Sequence, residues 1–167
     1  MKKIIIILAV LITILVINKE EKVIIPKDSI RFRVIASSNS LEDQELKRKI
    51  ITNLKDNIKK TEDFNNISDT RKYIQEELPE FNKIVDKTIK DNNSKQVFHI
   101  NYGKNYFPRK VYKDVVYEEG DYESLVITLG EGAGNNFWCV LFPPLCLIDD
   151  QDTEYKSFVK EIVDKYF

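Results

Sequence analysis

Three rhythms of apolar and polar positions follow one another along the chain. Residues 4–17 are apolar at every position but Thr13. Residues 30–36 alternate at first, with Ile30, Phe32 and Val34 on one side, the pattern of a half-buried strand. Residues 37–40 are polar and break it. Ser40 with Asp43 three positions on resembles a capping box, Asp standing in for the usual Glu. Leu46, Ile50, Leu54 and Ile58 then recur at four-residue spacing and predict a helix to about Lys60. Asn65 and Asn66 form a turn. A second helical stripe starts near Ser68 and carries Ile74, Leu78, Phe81, Val85 and Ile89. Pro79 lies inside it and predicts a kink, or two helices with Pro79 in the first turn of the second.

Past Asn93 the period falls to two. Residues 96–102 place Phe98, Ile100 and Tyr102 on one face, and residues 111–117 are rich in β-branched and aromatic side chains. Residues 118–121 read as a turn. Residues 124–129 form a strand with Leu125, Ile127 and Leu129 together, followed by a glycine-rich loop at 130–135. In the strand at 136–142, alternation puts Trp138, Val140 and Phe142 on one face and Phe137, Cys139 and Leu141 on the other. Pro143 and Pro144 end it. Residues 153–166 form a last helix with Tyr155, Phe158, Val159, Ile162, Val163 and Tyr166 on one stripe. These elements predict an α+β domain, helices packed on one side of a mostly antiparallel sheet.

The first stretch is a separate object. As a helix, residues 4–17 span about 21 Å, short of the roughly 30 Å hydrocarbon core. Lys2 and Lys3 before them make a basic start, so the segment reads as an export signal. Nothing small precedes the exit at Val16, Ile17, Asn18 and Lys19, which favours an uncleaved signal-anchor over a cleaved peptide. The lysines stay inside and the remainder faces outward. The organisation expected is a signal peptide or signal-anchor at 1–18, a linker at 19–29 around Pro26, and a single exported domain at 30–167. If uncleaved, residues 4–17 hold the chain to the membrane.

Charge narrows the function. The chain of 167 residues has 26 basic and 27 acidic side chains, a net charge of −1. A nucleic-acid binder needs a basic excess on one face, so none is expected as a partner. One His and two Cys are too few soft ligands for a four-ligand zinc site. No cofactor is implied. Asp149, Asp150, Asp152 and Glu154 fit no EF-hand spacing and suit the start of a helix better than calcium. Gly130, Gly132 and Gly134 lack the offset and the following helix of a dinucleotide loop, so they read as a hairpin connection.

Cys139 and Cys146 flank the Pro-Pro corner and admit three states. A disulfide would persist outside the membrane and close an eight-residue ring, stabilising by about 2.5 kcal/mol on the chain-entropy model. The other states are two buried thiols, or a nucleophile Cys139 served by the sole histidine, His99. Phe137, Trp138, Phe142, Pro143 and Pro144 form the candidate partner-binding surface: one face of their strand must pack on helices, and the other would expose large apolar groups.

Several stretches together resemble stage II sporulation protein R of endospore-forming bacteria. They are Ile30-Arg31-Phe32-Arg33-Val34-Ile35-Ala36-Ser37-Ser38-Asn39-Ser40 with Glu42-Asp43-Gln44 behind it, Tyr106-Phe107-Pro108-Arg109-Lys110-Val111-Tyr112, Gly120-Asp121-Tyr122-Glu123-Ser124-Leu125, Gly130-Glu131-Gly132, and Asn136-Phe137-Trp138-Cys139-Val140-Leu141-Phe142-Pro143-Pro144-Leu145-Cys146. The last is the most specific. Phe137 stands where that family tends to have a second Trp. The resemblance implies export from the forespore into the space between the forespore and mother-cell membranes. It implies a partner there: a membrane-embedded aspartic protease, stage II sporulation protein GA, which processes the precursor of sigma factor E. A non-enzymatic protein ligand is thus the leading expectation. The alternative is a cell-envelope hydrolase using Cys139 and His99, which requires those side chains to meet.

Overall fold

The structure, a computed structural model, describes residues 22–146 and 155–167. Seven strands and three helices follow in the order β1 (Val23–Ile24), β2 (Ile30–Ile35), α1 (Leu41–Lys59), α2 (Ile67–Asp91), β3 (Phe98–Phe107), β4 (Lys110–Tyr112), β5 (Val115–Tyr117), β6 (Gly120–Leu129), β7 (Asn136–Phe142) and α3 (Tyr155–Tyr166). The apolar segment 4–17 expected as a signal or anchor helix lies outside the described residues. Among the described residues no helix is long and apolar enough to cross a membrane.

Both long helices start where the polar breaks announce them. Ser40 Oγ accepts the Asp43 N–H at 3.1 Å, and Asn66 Oδ1 accepts the Asp69 N–H at 2.9 Å. Each side chain satisfies a backbone donor that has no partner within its helix. Leu46, Ile50, Leu54 and Ile58 of α1 and Ile74, Phe81, Val85 and Ile89 of α2 are buried together against Phe32, Val34, Leu125 and Ile127. Fully burying each such side chain contributes about 1.5–3 kcal/mol. Pro79 neither ends nor divides α2, which runs as one helix over Ile67–Asp91; the buried stripe on either side outweighs the one hydrogen bond that proline removes.

The larger sheet has the order β3-β6-β2-β7 and the smaller one β1-β5-β4. The expected mostly antiparallel sheet is in fact mixed. β2 runs parallel to β6 and antiparallel to β7, and β1 runs parallel to β5. β2 reaches β6 only after the two helices and β3 have intervened, so β6 can arrive in the same direction. The helices do not all lie on one side. α1 and α2 cover one face of the larger sheet, whereas Tyr155 and Val159 of α3 pack with Val23, Ile25, Val115, Val140 and Leu145 in a second core.

Two further differences concern short elements. Residues 111–117, rich in β-branched and aromatic side chains, form the β4–β5 hairpin rather than one continuous strand, because Lys113 and Asp114 take φ of 45° and 62°. Two successive left-handed residues match the twist of a tight hairpin turn. Val23 and Ile25, placed in the expected linker, are buried at 7% and 1% exposure, and the Ile25 N–H donates to the Val116 carbonyl.

Candidate functional site

β7 borders the larger sheet, hydrogen-bonded to β2 on one side only. Arg33 lies opposite Trp138 and Arg31 opposite Val140. The Val140 carbonyl points away from β2 and accepts the Leu145 N–H at 3.1 Å. In an antiparallel ladder the N–H and C=O of one residue face the same way and alternate residues repeat the direction. The backbone groups of Trp138 and Asn136 therefore also point outward.

Side-chain alternation splits the predicted partner surface. Phe137 faces the helices and meets Phe32 edge-on, with ring centroids 6.1 Å apart. A bulge in the β2–β7 register falls between Ile30 and Arg31, and both Leu141 and Phe142 enter the helix-side core. Phe142, expected beside Trp138, is instead 4% exposed and packs edge-on against Tyr166 at 5.2 Å. Pro143 follows a cis peptide bond, and Pro144 lines a separate hollow with Phe158 and Tyr166 of α3. Phe137 and Trp138 are both half-buried and line one cleft, Trp138 from the opposite face of the strand.

Trp138 borders a cleft of about 310 Å³ between β7, the β4–β5 hairpin and α3. Tyr112, Tyr117, Val140, Leu145 and Tyr155 supply its apolar lining, and Lys110 stands at its rim. The Tyr117 and Tyr155 hydroxyls are 3.0 Å apart. Burial, and then the neighbouring Tyr155, push the Tyr117 phenol far above its ordinary range. The Tyr117 phenol therefore stays neutral in the cleft wall.

Arginines and aromatic rings interleave behind Trp138. Phe107 meets the indole edge-on at 5.1 Å. The Arg33 guanidinium lies 4.9 Å from the Phe107 ring and 5.6 Å from the Trp138 ring, and Lys110 Nζ is also 5.6 Å from the indole. Arg31 is 1% exposed and stacks 3.3 Å from the Tyr122 ring centroid. Desolvation pulls both guanidinium pKa values down. The sequence reading missed this cluster: it treated Arg31 and Arg33 as the solvent side of a half-buried strand. The signal was Phe107, Tyr117 and Tyr122, whose rings supply the flat faces that guanidinium groups prefer.

Cys139 and Cys146 are joined in a disulfide, their Cα atoms 5.1 Å apart. His99 lies on β3, the far edge of the sheet, with β6 and β2 between it and β7. Three strand spacings amount to about 14 Å. The structure therefore does not bring Cys139 and His99 together. Asp149, Asp150, Asp152 and Glu154 lie outside the described residues, and among those described no cluster of His, Cys, Asp or Glu suits a metal ion.

The glycine loop has a structural role. The Ala133 and Gly134 N–H groups donate to the Ser37 and Ala36 carbonyls, and a Cβ at Gly134 would collide with the Ser38 carbonyl. The loop thus closes on the end of β2. Beside it, the Ser38 hydroxyl donates to Asp43 at 2.5 Å, Gln96 also donates to Asp43, and Lys47 Nζ donates to the Asn135 carbonyl at 2.8 Å. The Ser38 hydrogen bond, ahead of those from Gln96 and Ser40, lowers the Asp43 pKa. Asp43 and Lys47 thus have partners within the loops they join.

Comparison with known proteins agrees with the motifs. The family described as stage II sporulation protein R matches residues 26–152. Stage II sporulation protein R of Bacillus subtilis (strain 168) is 40% identical over 149 residues, which cover 89% of this chain and 65% of that protein. The chain therefore spans about two-thirds of the length of that relative. No solved structure matches.

Proposed function

The chain belongs to the stage II sporulation protein R family, and from that membership we propose that it is an exported signalling ligand of endospore formation. Its partner on this reading is the membrane-embedded aspartic protease, stage II sporulation protein GA. Binding of the chain to the outer part of that protease switches on processing of pro-sigma-E in the mother cell. The site of action is the space between the forespore and mother-cell membranes, reached through residues 4–17, which hold the chain to the membrane if uncleaved. Activation requires tighter binding to the active arrangement of the protease than to the inactive one.

The observation that carries this reading is the family match over residues 26–152, which includes β7 and the hairpin beside the Trp138 cleft. A half-buried indole flanked by cations is the kind of group that anchors a protein interface. The hydrolase reading loses its support, since Cys139 is disulfide-bonded and His99 is on the far edge.

The test is reconstitution. Membranes holding the protease and pro-sigma-E are mixed with the purified chain, and cleavage of pro-sigma-E is followed over time. Cleavage that depends on the chain is the expected result. Cleavage at the same rate without it, or none with it, overturns the proposal.

A further inference from the structure

We infer that the outer edge of β7 at Asn136 and Trp138 accepts an extended acidic peptide segment as an added strand, with a bulky apolar side chain in the adjoining cleft. This deepens the proposed function by stating how the partner is held, and it rests on that reading only for the partner's identity.

Three observations converge on this edge. The outward N–H and C=O groups of Asn136 and Trp138 have no strand beside them among the described residues. An open ladder of this kind pairs with extended backbone, and pockets beside it select the side chains. The cleft of about 310 Å³ supplies such a pocket. It lies at the bottom of the roughly 300–1,000 Å³ range of small-molecule sites, so it suits one large side chain rather than a whole ligand. Asn136 lines the same cleft, and its buried Oδ1 lacks a donor.

Charge selects an acidic segment. Arg33 and Lys110 both lie 5.6 Å from the same indole, and neither has a carboxylate partner among the described residues. Arg33 Nε is buried without an acceptor. A carboxylate arriving over Trp138 would meet both cations in a partly dry setting, where such pairs are stronger than on the open surface. A basic segment would be repelled by the same two groups.

Trp138 is the sole tryptophan of the chain, so its emission reports on this site without a label. The folded chain is titrated with acetyl-Glu-Val-Phe-Val-Glu-amide and with the counterpart that has Lys at both ends. Two further versions of the acidic peptide are N-methylated at alternate amides, one in each register. The expected result is a saturable shift with the acidic peptide and binding at least about tenfold weaker for the lysine peptide and for Lys110→Glu, a fold-change within reach of one charge-assisted contact. One N-methyl register should abolish binding and the other preserve it, because only alternate amides of an added strand face β7.

No shift with any peptide overturns the proposal. Equal binding of the acidic and lysine peptides, or indifference to both N-methyl registers, does so too. If only the Asp149→Asn, Asp150→Asn, Asp152→Asn triple variant responds, the chain's own acidic segment occupies the cleft and the proposal falls. Pro-sigma-E cleavage is measured in parallel with the same proteins. Loss of cleavage in Trp138→Ala, together with no peptide response in the unsubstituted chain, upholds the protease reading and overturns strand addition. Register-specific peptide binding with unchanged cleavage by Lys110→Glu upholds the site and overturns its assignment to the protease.

Discussion

Arg31 holds its guanidinium at 1% exposure with no hydrogen bond to Nε, Nη1 or Nη2, against the Tyr122, Phe107 and Tyr117 rings at 3.3, 5.3 and 6.0 Å. Stacking on desolvated rings contributes about 2 kcal/mol, whereas burying an unpaired charge costs several. Arg31→Met keeps the stem and removes the charge, so it should raise unfolding free energy by about 1–3 kcal/mol in urea titrations. A loss of that size would mean that the guanidinium has partners the geometry does not reveal. Trp138 is the opposite case, half-buried with Phe107 edge-on against its indole. Trp138→Ala should cost about 2 kcal/mol of partner binding, roughly thirtyfold, and about 2 kcal/mol of stability, less than a fully buried aromatic. Melting and pro-sigma-E cleavage measured side by side check both. A variant normal in both would remove Trp138 from the site.

At the scale of elements, one carboxylate ties three of them. Glu123 of β6 accepts Arg71 of α2 through Nε and Nη2, both at 2.8 Å, and the Tyr102 hydroxyl of β3 at 2.5 Å. The Arg71 hydrogen bonds are the main cause of its lowered pKa; burial opposes them. A carboxyl pKa depressed by folding adds stability above its unfolded value, near 4.5, and the gain is lost as pH falls through the folded value. Arg71 is 40% exposed, so solvent limits the pair to about 1 kcal/mol at neutral pH. Glu123→Gln should lower stability by that amount at pH 7 and flatten the acid limb below about pH 4.5 in urea midpoints taken from pH 2 to 7. An unchanged acid limb would rule the tie out. Nothing in the sequence pairs residue 71 with 123; their contact exists because α2 crosses the sheet over β6. The hairpin at Lys113 and Asp114 was hidden for another reason: neither residue is glycine or asparagine, and Asp114 beside a lysine is only a weak signal for a left-handed turn.

For the whole molecule, the centre of the larger sheet is the structural spine. β2 and β6 are paired on both sides, and helices cover one of their faces. Their amides should exchange slowest in native-state hydrogen exchange, while the outward amides of Trp138 and Asn136 exchange orders of magnitude faster. Equal protection at Phe32 and Trp138 would mean that another part of the chain covers the β7 edge.

The sequence by itself determined the periods, the caps and the faces. Ser40 as a cap, the α1 stripe from Leu46 to Ile58 and the inward set Ile30, Phe32 and Val34 are local matters, written in spacing and side-chain chemistry. The motif at 136–146 likewise marked the family before any geometry. Tertiary structure alone decided that β2 lies beside β6, that a bulge turns Phe142 into the core, and that His99 and Cys139 sit on opposite edges. It also decided that the small sheet and α3 close over the second face, burying Arg31 and half-burying Arg33 at positions that local alternation assigns to water. Period two says which side chains share a face; what covers that face depends on contacts far apart in the chain, and no local pattern carries them.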